Sequence, residues 1–186
     1  NNKKYISIEA NIGTGKSTLL ETFNSYNKNL LILVEPLQLW GEWLGKLYDG
    51  YDKTIYPNKN PNITTFQFKV LKSYYDILNS PENQLSHGLI TERSPLTALN
   101  IFSVNSLEQN DIDNIEFDLI KDYFNILFNS ENLPDISIYL RVSNADISLK
   151  RIKKRNRKSE ENIPEELIKQ LHDKHETYYN NDNTST

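Results

Sequence analysis

The feature that most constrains this chain is a glycine-containing loop between a strand pattern and a helix pattern. The apolar block Tyr5–Ile8 leads into Ala10-Asn11-Ile12-Gly13-Thr14-Gly15-Lys16-Ser17-Thr18, and apolar residues then recur at helical spacing. Strand, loop and helix in this order, with Gly-Lys-Ser at the helix start, are typical of a phosphate-binding P-loop. The loop therefore predicts an α/β fold, because it joins a strand to the helix that packs on it.

The loop offers many donors to phosphate oxygens without bulky side chains. Gly13 and Gly15 let the backbone amides turn inward at the helix N-terminus. Lys16 is expected to reach the β- and γ-phosphates, and the Ser17 hydroxyl is expected to ligate Mg²⁺. A chance glycine-rich turn is the alternative, and the flanking strand and helix disfavour it. The predicted nucleotide-binding residues are Asn11, Ile12, Gly13, Thr14, Gly15, Lys16, Ser17 and Thr18.

Four short apolar blocks predict buried parallel strands. They lie at 5–8, 30–34, 88–91 and 136–140. Helical patterns lie at 16–26, 38–48, 64–78, 96–104, 115–128, 145–154 and 164–179. Their alternation predicts a parallel sheet with helices on both faces. The segment 49–62, rich in Tyr, Asn, Lys and Pro, predicts a surface loop or insertion.

Length and charge limit the classes of protein. The 186 residues fit one domain over 1–186. A net charge of −4 argues against general electrostatic binding of nucleic acid, and the apolar blocks are too short to span a membrane. The absence of Cys favours a reducing compartment. The cytoplasm is the expected location, with mitochondrial or nuclear location left open.

Charged residues follow the second and third predicted strands. The carboxyl ends of parallel strands form the edge where ligands bind. Glu35 ends the second block, where a carboxylate beside the P-loop fits a general base. Glu92 is expected to reach Mg²⁺ through water, and Arg93 to hold an acceptor hydroxyl with Glu35. Alone, these residues fit an ordinary cap or ion pair, but their coincidence with the P-loop favours a site.

A basic segment lies late in the chain. Seven of the nine residues in 150–158 are Lys or Arg, in an otherwise acidic protein. After a P-loop and four strands, this pattern predicts a lid over about 151–164 whose arginines close over phosphates. A solvated helix face and a nucleic-acid or nuclear-localisation patch are the alternatives.

Together these motifs resemble the deoxynucleoside kinase family over nearly the whole chain. The matching residues are Asn11-Ile12-Gly13-Thr14-Gly15-Lys16-Ser17, Glu35-Pro36 with Trp40, Phe66-Gln67, Glu92-Arg93-Ser94, Tyr139-Leu140-Arg141, the lid from Arg151 to Pro164, and Leu171-His172-Asp173-Lys174-His175-Glu176. The resemblance implies a P-loop kinase fold and transfer of the γ-phosphoryl of ATP, with Mg²⁺, to the 5′-hydroxyl of a deoxyribonucleoside. It also implies a place in nucleotide salvage, and a homodimer.

The resemblance assigns roles in phosphoryl transfer. Glu35 corresponds to the catalytic base, and Arg93 clamps it together with the 5′-hydroxyl. Arg155 and Arg157 correspond to the lid arginines, and Arg151 is expected to contact ATP. The residues expected to act in catalysis are Glu35, Arg93, Lys16, Arg155 and Arg157.

The resemblance also assigns contacts to the sugar and to the edge of the base. Glu160 corresponds to the lid glutamate that meets the sugar 3′-hydroxyl. Tyr48 is its expected partner, with Tyr56 as the alternative because the intervening loop differs in length. Gln67 would read the base edge, since one amide offers both a donor and an acceptor.

The remaining predicted acceptor contacts surround the base. Trp40 and Phe102 would sandwich it, and Val70, Tyr74 and Ala98 would face it. Relatives that favour deoxycytidine or purines typically carry an Asp at the place of Ala98, paired with an Arg on the helix of the glutamine. Neither charge is present here, and a buried Asp would need that partner. The sequence therefore predicts a pyrimidine preference with thymidine accepted.

The family pattern fails at the C-terminal end. The sheet of relatives normally has a fifth parallel strand and a following helix, with an adenine-contacting loop before that helix. No such pattern follows the last predicted helix. The domain is therefore expected to be incomplete at its C-terminus, which leaves the adenine contacts unassigned.

Two other functions compete with this interpretation. A nucleoside monophosphate kinase of the thymidylate kinase type shares the P-loop, the strand-end arginine and the lid. A phosphorylated acceptor would call for another arginine near the second strand, and none stands between Thr18 and Thr91. A non-catalytic nucleotide-binding subunit could lose its lysine or its base, yet both are present here.

Overall fold

The sheet places the start of the P-loop between two neighbouring strand ends. The computed structural model describes residues 3–26 and 29–181. Its four strands are β1 (Lys4–Glu9), β2 (Leu30–Leu33), β3 (Gly88–Glu92) and β4 (Ile136–Tyr139), all parallel, in the order β2-β3-β1-β4. In this order Ile6 of β1 pairs with Ile90 of β3 and with Ile136 of β4. The predicted α/β parallel sheet is confirmed.

Helices cover both faces of this sheet. They are α1 (Lys16–Tyr26), α2 (Leu37–Asp49), α3 (Ile63–Leu78), α4 (Pro81–Leu85), α5 (Pro95–Thr97), a π-helix (Ala98–Ser103), α6 (Val104–Glu108), α7 (Asn114–Leu127), α8 (Ala145–Arg155), a 3-10 helix (Lys158–Glu160) and α9 (Glu165–Asn181). No helix within 3–26 or 29–181 combines the length and the apolar character needed to cross a membrane.

Three buried apolar clusters lie in the described chain, and two of them hold the sheet and helix layers together. The larger lies among the helices and includes Leu71, Ile101 and Leu171. The smaller joins α1 to the sheet through Leu20 and Ile8. The helices thus bury the stripes that their periodicity predicted.

The edge strands differ from the prediction of burial. Ile136 and Ile138 of β4 are 49% and 43% exposed, and all residues of β2 are only half-buried. Both strands lie at an edge of the described sheet, so each lacks a neighbour on one side. Full burial was therefore wrong for these two strands.

The loop between α2 and α3 is fixed by one buried amide. Asn60 is fully buried, its Nδ2 donates to the Leu47 carbonyl at 2.8 Å, and its backbone N–H donates to the Asp111 carbonyl at 3.0 Å. The residue that ends α2, Gly50, lies directly against it. The predicted surface loop is thus anchored to the end of α2 and to the segment before α7.

The end of α8 turns the chain into the lid. Asn156 adopts a left-handed conformation with φ of 48°, and its N–H donates to the Ile152 carbonyl. An Asn in this conformation ends a helix at low cost. The basic residues of the predicted run therefore divide between the last turns of α8 and the segment after it.

Candidate active site

A cleft opens at the carboxyl edge of the sheet. It holds about 960 Å³ of empty space, counting its opening to solvent. Charged strand-end and loop residues line one end, while side chains from α2, α3 and the π-helix form an apolar wall.

The P-loop backbone has the conformation that phosphate binding requires. Gly13 and Gly15 have φ of 80° and 107°, in the left-handed region that favours glycine. The Thr14 hydroxyl donates to the Asn11 carbonyl at 3.0 Å, which closes the turn. The loop therefore presents backbone amides at the start of α1, as an anion site needs.

Lys16 lies buried beneath this loop. Its Nζ donates to the carbonyls of Ala10 and Asn11 at 3.2 and 2.9 Å and lies 3.7 Å from Glu92 Oε1. Burial, and then the positive charge of Arg93, lowers the pKa of Lys16 to about 8. Additional negative charge from phosphates would stabilise this ammonium.

Glu35 and Arg93 form an ion pair at the same edge. Arg93 Nη1 donates to Glu35 Oε1, and the two side chains are only 7% and 12% exposed for Arg93 and Glu35 respectively. Burial raises the pKa of Glu35, although the Arg93 guanidinium opposes this. A carboxylate in this environment is a better proton acceptor than an exposed one.

The backbone of Arg93 is strained and firmly held. Its φ is 59°, which is uncommon for a residue other than glycine. Its N–H donates to the Ile8 carbonyl at 3.0 Å, and its own carbonyl accepts from Thr91 Oγ1 at 2.6 Å. Its side chain is fixed too, because Nε donates to Ala10 and the guanidinium lies 5.1 Å from the Phe102 ring. Strain maintained in this way is common where a side chain must point into a site.

Ser17 and Glu92 bring oxygen ligands together. Ser17 Oγ donates to Glu92 Oε2 at 3.0 Å, and the Glu35 backbone N–H donates to the same carboxylate at 3.3 Å. Hydroxyl and carboxylate oxygens are the ligands that Mg²⁺ takes, with water and substrate phosphates completing its shell. These two side chains therefore fit a magnesium ion at the phosphate end of the cleft.

All of the residues predicted to contact the acceptor line the cleft. They are Trp40, Tyr48, Gln67, Val70, Tyr74, Arg93, Ala98, Phe102 and Glu160. Burial, and then the Glu160 carboxylate, raises the pKa of Tyr48. The alternative tyrosine, Tyr56, is not among the described residues that line the cleft.

The base end of the cleft is closed by side chains with fixed positions. The Tyr74 hydroxyl donates to the Glu92 carbonyl at 2.8 Å, and Trp40 Nε1 donates to Ser73 Oγ at 3.0 Å. Gln67 and Ala98 are both buried on this wall. Tyr74 is therefore fixed in this wall, because its hydroxyl is bonded to the end of β3.

The lid contributes positive and negative side chains to the cleft. Arg155 Nε donates to Glu160 Oε2 at 2.7 Å, and Arg157 Nη1 lies 3.8 Å from Glu160 Oε1. Glu160 is 7% exposed at its side chain. The predicted lid residues are thus brought together at the mouth of the cleft.

Several predicted ATP contacts lie outside the cleft lining in the described chain. Thr14, Gly15 and Thr18 belong to the outer part of the loop and the start of α1. Arg151 Nη1 donates to the Thr14 carbonyl at 2.6 Å. The Asn11 amide is buried and donates to α9, so this side chain is directed away from the cleft.

Sequence reasoning missed most of the apolar wall. The further residues that line the cleft are Leu37, Leu44, Leu47, Tyr51, Ile63, Phe66, Ser94, Ser106, Leu167 and Leu171. Some were detectable, because Leu44 and Leu47 share the helical stripe of Trp40. Others, such as Ser106 and Leu167, reach the cleft only through tertiary packing.

Two buried ionisable groups behind the cleft were also missed. Glu9, the last residue of β1, is fully buried and accepts from Thr97 Oγ1. His175 packs edge-on against Phe102, with ring centroids 6.3 Å apart. Burial lowers the pKa of His175 to about 3, so it is neutral near pH 7. His175 thus packs against Phe102, which lines the cleft, while Glu9 is bonded to Thr97, the residue before the cleft residue Ala98.

The chain is similar to known proteins over nearly its whole length. The family model for deoxynucleoside kinase matches residues 6–186. A Fowlpox virus (strain NVSL) protein described as a probable deoxycytidine kinase is 32% identical, over 97% of this chain and 73% of its own length. Mitochondrial thymidine kinase 2 of Homo sapiens is 30% identical, over 95% of this chain and 64% of its own length. Deoxycytidine kinase 2 of Gallus gallus is 29% identical, over 93% of this chain and 72% of its own length.

Proposed function

Since the chain belongs to the deoxynucleoside kinase family, we propose that it phosphorylates the 5′-hydroxyl of deoxyribonucleosides with ATP and prefers pyrimidines. The observation that carries this proposal is the buried pair of Glu35 and Arg93, which lines the same cleft as the P-loop lysine and the acceptor wall. The monophosphate product is a DNA precursor, so the proposed role is nucleotide salvage.

Glu35 acts as the base in this proposal. The 5′-hydroxyl gives its proton to the Glu35 carboxylate while its oxygen bonds to the γ-phosphorus. The bond between that phosphorus and the bridging oxygen breaks, and ADP leaves. Arg93 holds Glu35 in position through Nη1, and burial raises the pKa of Glu35 so that it takes up the proton more readily.

The phosphate end supplies charge and orientation. The P-loop amides and Lys16 bind the phosphates, and Arg155 and Arg157 bring positive charge from the lid. Ser17 and Glu92 would hold Mg²⁺, which neutralises charge on the phosphate oxygens when it is bound.

An unphosphorylated acceptor suits the wall opposite the P-loop. The side chains there include Gln67, Val70 and Tyr74, which carry no charge near pH 7. A nucleoside monophosphate kinase needs cations for the acceptor phosphate. The segment from Thr18 to Thr91 contains no arginine, which supports a nucleoside acceptor.

The proposed preference for pyrimidines rests on the side chains at the base end of the cleft. The Tyr74 hydroxyl is bonded to the Glu92 carbonyl, and Tyr74 and Ala98 both line the cleft. A single ring with a methyl group fits beside Ala98 more easily than a purine does. The relative named for thymidine kinase 2 supports the same choice.

A homodimer and a cytoplasmic location complete the proposal. The outer face of α7 carries three exposed apolar residues at helical spacing, Ile115, Leu119 and Ile126, which are 79%, 51% and 78% exposed. Exposed apolar stripes of this kind mark surfaces that associate. The cytoplasmic location rests on the composition alone.

One assay tests the proposed function. ADP release is measured with thymidine, deoxycytidine, deoxyadenosine, deoxyguanosine and thymidine monophosphate as acceptors. Phosphorylation of the nucleosides but not of the monophosphate is expected. Activity on the monophosphate alone would show that the protein is a nucleoside monophosphate kinase. No ADP release with any acceptor would show that it is a non-catalytic binding subunit. A ratio of kcat/KM for thymidine over deoxyguanosine at or below one would refute the pyrimidine preference.

A further inference from the structure

The P-loop is attached to both helices that flank the lid. On the α9 side the loop makes a buried hydrogen bond, in which Asn11 Nδ2 donates to the Ile168 carbonyl at 2.8 Å. Asn11 is 1% exposed, so water does not compete for this bond. The lid ends where α9 begins, and this bond therefore ties the phosphate loop to the helix after the lid.

On the α8 side the loop packs directly against the helix backbone. A Cβ at Gly13 would lie 2.7 Å from the Ser148 carbonyl oxygen and 2.9 Å from Ile152 Cγ1. Arg151 of the same helix donates Nη1 to the Thr14 carbonyl at 2.6 Å. Because the lid begins within α8, the P-loop also contacts the helix that leads into the lid.

Ile12 joins the two attachments. It packs against a buried cluster made by Leu149 and Ile152 of α8 and Ile168 of α9, and it also lines the cleft. A displacement of the loop therefore moves the packing between α8 and α9, since close-packed interiors transmit small shifts.

Asn11 also reaches the phosphate-binding lysine. Its carbonyl accepts from Lys16 Nζ at 2.9 Å, and its Oδ1 accepts from the Ile12 N–H at 2.7 Å. The same residue thus contacts Lys16 through its backbone and α9 through its amide. Phosphates that draw the Lys16 ammonium toward themselves change its contact with the Asn11 carbonyl.

We infer that Asn11 is a positioning residue that couples occupation of the P-loop by a nucleoside triphosphate to the lid, and thereby to affinity for the acceptor. The inference rests on the proposed function. Lys16 and Ile12 respond to the phosphates, Asn11 and Gly13 pass the shift to α9 and α8, and the lid between those helices carries Glu160 to the acceptor. Coupling of this kind is reciprocal, so the acceptor also raises affinity for the triphosphate.

The test measures coupling directly. The Kd of thymidine is determined by calorimetry with and without a non-hydrolysable ATP analogue and Mg²⁺, and the ratio is the coupling factor. In the parent we expect a factor of about five or more. Asn11→Ala removes the donor to Ile168, and we expect its coupling factor to fall by about threefold or more, to a value near one.

Asn83→Ala is the matched control. Asn83 is also buried, and its Nδ2 donates to the Leu78 carbonyl at the same distance of 2.8 Å, but it lies in α4 and outside the cleft lining. We expect this variant to keep the parental coupling factor. Each factor compares two constants from one preparation, so a loss of stability alone leaves it unchanged.

A second variant separates the amide from the rest of the side chain. Asn11→Asp keeps the oxygen that accepts from Ile12 and loses the donor to Ile168, so it should lose coupling as Asn11→Ala does. Parental coupling in both variants, or a parental factor of one, would overturn the inference while leaving the proposed function intact. A parent that binds neither ligand would overturn both.

Discussion

Arg93 carries two contacts that depend on each other. Its Nη1 donates to Glu35, and its Nε donates to the Ala10 carbonyl at the start of the P-loop. Neither charge of the Glu35 pair is stable when it is buried alone, because an unpaired ion loses its hydration without compensation. The base and the phosphate loop are therefore positioned by one guanidinium, whose backbone is held in a strained conformation.

The Glu35 carboxylate is predicted to provide basicity rather than binding. Glu35→Gln keeps the shape of the side chain and loses the proton acceptor, so kcat should fall by about two to four powers of ten while nucleoside affinity is retained. Steady-state kinetics and calorimetry measure the two quantities. Glu42→Gln, at an exposed position of α2, is the control and should match the parent. Turnover by Glu35→Gln within about threefold of the parent would remove Glu35 from this role.

Lys16 is predicted to take up a proton when nucleotide binds in alkaline solution. Its pKa without phosphates is lowered to about 8, and the negative charge of a nucleoside triphosphate raises it. Between these two pKa values the free protein is deprotonated and the complex is protonated. Binding should therefore consume protons and weaken as the pH rises above about 8.

Calorimetry in two buffers that differ in ionisation enthalpy measures this proton uptake. Lys16→Arg is the control, because a guanidinium stays charged throughout this range. If the parent takes up protons on binding and Lys16→Arg takes up the same number, the proton binds to a group other than Lys16.

At the scale of elements, periodicity predicted the regular segments well. The helix predicted at 16–26 is Lys16–Tyr26, and the strand predicted at 88–91 is Gly88–Glu92. Segments with strong apolar spacing have one way to bury their stripe, so their type follows from the pattern. The short helix Pro81–Leu85 was missed, although Ser80 caps it and a proline begins it.

Other features of the elements depend on contacts between distant parts of the chain. The π-helix Ala98–Ser103 has no local signature, and it was predicted only as part of a longer helix. The exposure of β4 follows from its place in the sheet order. In the site, charged motif residues were predictable because strand ends converge, whereas Ser106 and Leu167 reach the cleft from segments whose packing no pattern specifies.

The loop after α2 is predicted to depend on the absence of a side chain at Gly50. A Cβ there would lie 1.9 Å from Asn60 Oδ1, and Asn60 is held by Leu47 and by the Asn62 N–H. Gly50→Ala should therefore reduce the free energy of unfolding by about 1–3 kcal/mol, as overpacking does. Denaturation by urea measures the change.

Gly45→Ala is the matched control within the same helix. A Cβ at Gly45 meets nothing within 4 Å, so alanine should raise the free energy of unfolding by about 0.5–1 kcal/mol through helix propensity. Equal stability of the two variants would show that Asn60 moves freely, contrary to its burial.

At the scale of the whole molecule, apolar side chains face solvent at several places in the described chain, and two of these surfaces are candidates for a dimer interface. One is the edge strand β4, with Ile136 and Ile138 exposed, and the other is the outer stripe of α7. A sheet edge exposes unpaired backbone groups and pairs with almost any strand, whereas a helical stripe is matched only by a complementary surface. A symmetric dimer therefore fits the α7 stripe better than the strand edge.

The proposed homodimer is predicted to depend on Leu119 at the middle of this stripe. The parent should elute with twice the chain mass of 21.7 kDa in size-exclusion chromatography with light scattering. Leu119→Lys places a charge between Ile115 and Ile126 and should give a monomer that keeps its fold, because the position is 51% exposed. Leu85→Lys, at an 85% exposed position on α4, is the control and should remain dimeric. A monomer produced instead by Ile138→Lys would place the interface at the strand edge, and a monomeric parent would refute the dimer.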